Sequence, residues 1–182
     1  MRLIVVVTAL SFVGCITAAA EGEGEPPPPA PVVKFYTGTV TTSHPDTGVP
    51  FGPAEDTVTK RTVDAAARTI VEEVVSQGLP IVTTMTERGD TNVFDASDDG
   101  GTFSGTLTFD GSDFAFTGWT YFIELTDGSG VITGVATIDD ENILTHKTYS
   151  DHSGTAQALI ADALHVVDED TYDAERATLV HR

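Results

Sequence analysis

Thr102-Phe103-Ser104-Gly105-Thr106-Leu107-Thr108-Phe109, a turn at Asp110-Gly111-Ser112, and then the long apolar run from Phe114 to Leu125 decide how this chain folds. In the first segment Phe103, Gly105, Leu107 and Phe109 share one parity, while Thr102, Ser104, Thr106 and Thr108 share the other. That period of two predicts a strand with one buried and one polar face. The second segment is apolar on both parities: Phe114, Phe116 and Phe122 on one, and Trp119, Tyr121, Ile123 and Leu125 on the other. It predicts a strand covered on both faces for part of its length. One parity would line a cavity or core, and the other would pack outward beneath residues 62–78 or a terminal helix.

The same grammar extends in both directions. Lys34 to Val40, Ile81 to Glu87, Val131 to Ile138 and Ile143 to Tyr149 are short runs rich in β-branched and aromatic residues. They are separated by turn formers such as Asp98-Asp99-Gly100-Gly101, Asp127-Gly128-Ser129-Gly130 and Asp139-Asp140. This is the pattern of an antiparallel meander. Residues 62–78 admit two readings. Val63, Ala66, Ala67, Ile70, Val71, Val74 and Val75 fall on one helical face, with Thr62 as a cap and Gly78-Leu79-Pro80 as a stop. Alternatively, a break at Asp64-Ala65-Ala66-Ala67 leaves Thr57 to Val63 and Thr69 to Val75 as a hairpin. Near the C-terminus, Asp168-Glu169-Asp170 precedes Tyr172, Ala174, Ala177 and Leu179, with Arg176 in a later turn, which predicts a short helix matched to its dipole.

The chain has 182 residues, of which 40% are hydrophobic, enough for one domain with a real core. Nine Lys and Arg face 28 Asp and Glu, a formal net charge of -19. Such a field repels phosphate backbones and anionic headgroups, which argues against nucleic acid or a basic membrane-binding patch. A dense carboxylate surface suits a salty habitat or serves solubility alone. The single cysteine, Cys15, excludes an intramolecular disulfide and thiolate zinc sites.

Met1-Arg2 followed by the apolar run Leu3 to Val13 has the form of a secretory signal and is too short to span a bilayer as a helix. Two cleavage sites compete. Phe12-Val13-Gly14-Cys15 resembles a bacterial lipobox, which makes residues 1–14 the signal and Cys15 the lipidation site. Ala18-Ala19-Ala20 is an ordinary site, which makes the signal 1–20. The lone cysteine behind the apolar run favours the lipoprotein. Residues 15–31, rich in Glu, Gly and Pro, read as an extended tether ahead of a β-barrel domain at 32–182.

Residues with catalytic chemistry do not form a motif. His44, His146, His152, His165 and His181 lack metal-ligand spacing, and no metal site is expected. Asp151-His152-Ser153 is contiguous, whereas a triad is assembled across a fold; it reads as a loop. Asp95-x-Ser97-x-Asp99-Gly100 begins like a calcium loop, but Thr106 stands at the twelfth position, so a β-turn with Asx hydrogen bonds is expected. No catalytic residue and no cofactor can be named. The aromatic residues Phe114, Phe116, Trp119 and Tyr121 are the candidate ligand-binding residues, with plain core as their other reading.

Residues 57–66, Ile70-Val71-Glu72-Glu73, Gly105-Thr106-Leu107-Thr108-Phe109, Trp119, Asp127-Gly128-Ser129-Gly130-Val131 and Tyr172-x-x-Glu175-Arg176-Ala177 together resemble small bacterial lipocalin-like domains of uncharacterised function. The resemblance spans most of residues 33–180. It implies a calycin-type, up-and-down antiparallel barrel or strongly curved sheet with a short C-terminal helix and, in better-known relatives, a pocket for an apolar ligand or haem. The expectation is a monomeric, non-enzymatic protein of the bacterial envelope, at the outer membrane or periplasmic and secreted, that binds a small, partly apolar molecule. Alternatives are an interaction module with a filled barrel and, third, a hydrolase or isomerase whose acid and base spacing does not reveal.

Overall fold

The computed structural model describes residues 27–76 and 78–180. Within them the chain forms ten strands in sequence order. β1 is Val32–Ser43, β2 Glu55–Asp64, β3 Thr69–Ser76, β4 Leu79–Glu87 and β5 Val93–Asp98. β6 is Phe103–Ser112, β7 Ala115–Leu125, β8 Gly130–Ile138, β9 Asn142–Asp151 and β10 Ala156–Val167. Each strand pairs antiparallel with the next, and β1 pairs with β10, so the meander closes into a barrel. A single helix, α1 (Glu169–Val180), follows β10. This is the mostly β architecture expected, consistent with a lipocalin-like fold.

Acidic turn residues set the hairpins. Asp98 Oδ1 accepts from the N–H of Thr102 at 2.7 Å and of Phe103 at 3.1 Å, and Asp127, Asp139 and Asp151 brace their turns likewise. These are the Asx bonds that let a short loop reverse the chain. Asp95, from the calcium-like string, instead pairs with Arg88 across the β4–β5 connection. On the closing seam, a Cβ at Gly38 would stand 2.0 Å from Ala163 O, so glycine is what lets β1 and β10 meet.

The hairpin is the reading that holds, with β2 and β3 paired across the turn at residues 65–68. Inward Val63, Ile70 and Val74 alternate with outward Val71 and Val75, a two-sided use of the apolar residues that a helical face would have gathered. Val58 pairs with Val75 on the outer surface, and α1 lies on both through Tyr172 and Leu179. Asp168 caps α1, its Oδ1 accepting the Thr171 N–H at 2.8 Å, and Glu169 and Asp170 in the first turn suit the helix dipole.

The expectation that β7 is covered on both faces is corrected. α1 packs on β1, β2 and β3, and Phe122 on the outer face of β7 is 48% exposed. A β-bulge explains the double parity. Asp110 pairs with Gly118 and Gly111 with Phe116, leaving Thr117 as an extra residue. Even-numbered Phe116 and odd-numbered Trp119 therefore both point into the barrel.

Candidate functional site

The barrel interior is filled unevenly. On the β5–β7 side an aromatic column occupies it: Phe94 to Phe109 at 4.7 Å between ring centroids, Phe109 to Phe116 at 4.4 Å, and Phe109 to Trp119 at 5.3 Å. Tilted and edge-on contacts of this kind hold rings in place. Elsewhere the interior opens into two chambers.

The inner chamber is a cavity of about 270 Å³ bounded by Trp119, Tyr121, Thr59, Glu72, Lys147 and Asp162, with residues of β1, β9 and β10 completing its wall. Its charges are paired. Lys147 Nζ donates to Asp162 Oδ2 at 2.5 Å, and the Thr145 hydroxyl donates to the same oxygen at 2.6 Å. Burial pushes the Tyr121 hydroxyl well above the usual tyrosine range, and the negative charges of Glu72 and Asp162 push the same way. Trp119 Nε1 has no hydrogen-bond partner of normal geometry, although it lies near enough to the Tyr121 hydroxyl to favour its ionised form.

The mouth pocket, about 580 Å³, opens at the end of the barrel where residues 27–31 lead into β1. Val32, Val63, Phe114, Phe116 and Ile138 give it an apolar wall, and Pro29 and Ala30, just before β1, border it. Asp113, Asp139 and Asp140 sit in the connections that form its rim. Phe114 adopts a positive φ of 60° in the β6–β7 turn and packs edge-on against Phe94 at 5.9 Å. Arg68 lies 5.3 Å from the Phe114 ring centroid and is itself paired with Glu87 and Asp90. That ring is thus held from both sides.

Between the chambers lies Arg61, 3% exposed. Its Nη1 donates to Glu72 Oε1 at 2.9 Å, and its guanidinium carbon stands 4.6 Å from the Trp119 ring centroid and 5.6 Å from that of Phe109. A cation stacked on desolvated rings and paired with a carboxylate is a stable way to keep a charge inside a barrel. Tyr36, fully buried on the neighbouring strand, shares the floor of the mouth pocket with Arg61. Burial raises the Tyr36 hydroxyl above its ordinary value, and Arg61 opposes that rise.

Of the four aromatic candidates, Trp119 and Tyr121 line the inner chamber, and Phe114 and Phe116 line the mouth pocket. The strand β7 and the turn before it thus serve both chambers. Arg61, Glu72, Tyr36, Lys147 and Asp162 were missed by the sequence reading. The signal available for two of them was position: Arg61 shares the parity of Thr57, Thr59 and Val63, and it falls opposite Glu72 in the hairpin. Among the described residues no three His, Cys, Asp or Glu side chains gather to hold a metal ion. Asp151-His152-Ser153 forms the β9–β10 turn, where the Ser153 hydroxyl donates to Asp151 Oδ1. Cys15 and His181 lie outside the described residues. Comparison with protein-family models and with curated proteins gave no match.

Proposed function

We propose that this protein is a non-enzymatic, monomeric binding module that takes a small, partly apolar molecule into its barrel. The observation that carries this reading is the mouth pocket: about 580 Å³ of apolar-walled space, within the range of small-molecule sites, opening to the outside above a buried cation. The unfilled interior favours it over an interaction module with a solid barrel. The interior carboxylates count against acid–base catalysis, since Glu72 is held by Arg61, and Asp162 by Lys147 and Thr145. Trp119 is the sole tryptophan and lies against Arg61, so its emission should report occupancy. Titration with fatty acids, haem and other apolar probes should give a saturable change in emission. A flat response to every probe, with the fold intact by circular dichroism, would remove the binding reading.

We further infer that the chain is exported and anchored through an acylated Cys15 at the bacterial envelope. The lone cysteine behind an apolar run supports this, as does the exposed stretch from Pro27 to Pro31 that joins β1 beside the mouth pocket. An anchor at that end would place the pocket toward the membrane. Cys15→Ser should move the protein from the membrane fraction to the soluble one. A wild-type protein already soluble, beginning at Glu21, would overturn the anchor.

A further inference from the structure

Two residues that line the mouth pocket, Tyr36 and Arg61, each end in a buried hydrogen-bond donor with nothing to donate to. Tyr36 Oη and Arg61 Nη2 are both buried and both lack a partner, whereas Lys147, Thr145 and Asp162 of the inner chamber are bonded to one another. The two residues stand on paired strands, Tyr36 opposite Thr59 and Arg61 opposite Lys34, so they lie diagonally adjacent on the inner surface. A buried donor without an acceptor is costly, and two beside one pocket specify what should arrive there: an acceptor oxygen.

Charge decides which kind of oxygen. Arg61 is already neutralised by Glu72 at 2.9 Å. The rim carries Asp113, Asp139 and Asp140, and Asp139 is held ionised by the N–H groups of Glu141 and Asn142 and, more weakly, by Lys34. Lys34 also lines the pocket, opposite Arg61 and within reach of Asp139's charge, but the two cations are outnumbered by Glu72, Asp113, Asp139 and Asp140, so an entering carboxylate would add negative charge to a site already net negative. A neutral carbonyl oxygen, with two lone pairs, can accept from both donors without that penalty.

We propose that the mouth pocket binds a neutral amphiphile, with its hydrocarbon body against Val32, Val63, Phe114, Phe116 and Ile138 and its carbonyl oxygen bonded to Tyr36 Oη and Arg61 Nη2. This deepens the binding reading above and rests on it. The raised Tyr36 hydroxyl is consistent with a donor that keeps its proton at neutral pH, burial being the main cause.

The test is a matched set of probes, methyl decanoate, decanoate and decane, titrated against the purified chain by Trp119 emission and by calorimetry. The ester should bind about tenfold more tightly than decanoate or decane. Tyr36→Phe keeps the ring and removes only the donor. It should weaken the ester about three- to tenfold and leave decane unchanged. Tighter binding of decanoate, with affinity falling as salt rises, would overturn the neutral head group while leaving the binding reading in place. Equal effects of Tyr36→Phe on ester and decane would do the same. Absence of binding for all three probes by both methods would overturn both readings.

Discussion

Arg61 links the two chambers, and the consequences of losing its partner can be stated in free energy. Its Nη1 bond to Glu72 is the one contact that balances its charge, because its remaining surroundings are the rings of Trp119 and Phe109. Glu72→Gln would leave a guanidinium uncompensated in the interior and should destabilise the fold by about 3 kcal/mol, at the lower end for a broken buried pair because Glu72 borders a cavity. Replacing both residues, as Arg61→Met with Glu72→Leu, should recover most of that loss, since a buried pair and an apolar pair of similar volume are often equivalent. Urea denaturation of the single and double variants measures both values. If Glu72→Gln were neutral, the pair would contribute nothing to stability. The candidate aromatic residues were legible because large rings in a strand pattern are conspicuous. Arg61 was not, because an arginine between a lysine and a threonine ordinarily faces water, and only the pairing register turns it inward.

At the level of elements, α1 covers the apolar patch that Phe35, Val58, Val75 and Val167 form on the outer barrel. Tyr172 is buried beside the Phe35 ring at 5.2 Å and lies over Val58 and Val75. Tyr172→Ala should therefore cost about 3–5 kcal/mol, as for other buried aromatic truncations, whereas Phe122→Ser on the uncovered face of β7 should change stability by no more than about 0.5 kcal/mol. Thermal denaturation of the two variants compares them directly. Similar losses in both would mean that the outer face of β7 is covered after all. The helix was legible from its acidic start, and six of the strands from their period. Two strands were not. β5 is short and ends in the acidic turn string that dominated its reading, and β10, Ala156–Val167, is rich in alanine, which has little strand preference of its own. Pairing with β9 and β1 on either side is what makes β10 a strand. The bulge at Thr117 was likewise hidden, since period analysis assumes that parity never changes.

For the molecule as a whole, the net charge of -19 acts against compactness through self-repulsion. Most of the acidic side chains lie at turns and outer faces, where dissolved ions reach them. Raising salt from about 0.1 to about 1 M shortens the screening length from about 10 Å to about 3 Å. The denaturation midpoint should rise over that interval, as a calorimetric series in sodium chloride would record. A midpoint that falls would mean that the exposed ion pairs, such as Arg88 with Asp95, outweigh the repulsion.

The seam between β1 and β10 joins Tyr36 to Val166, near the two ends of the barrel domain. During synthesis β1 has β2 as its sole neighbour until the last strand emerges, so its other edge stays open for almost the entire translation of the domain. Long-range closure of this type is slow to form. Under the proposed export through a secretion channel that delay is useful, because the barrel cannot be completed while its final strand is still unmade. The same delay sets a hazard. A ribosome that stops, or a protease that cuts, before Ala156 leaves β1 and β9 as two unpaired edges, each a template on which a second truncated chain can assemble.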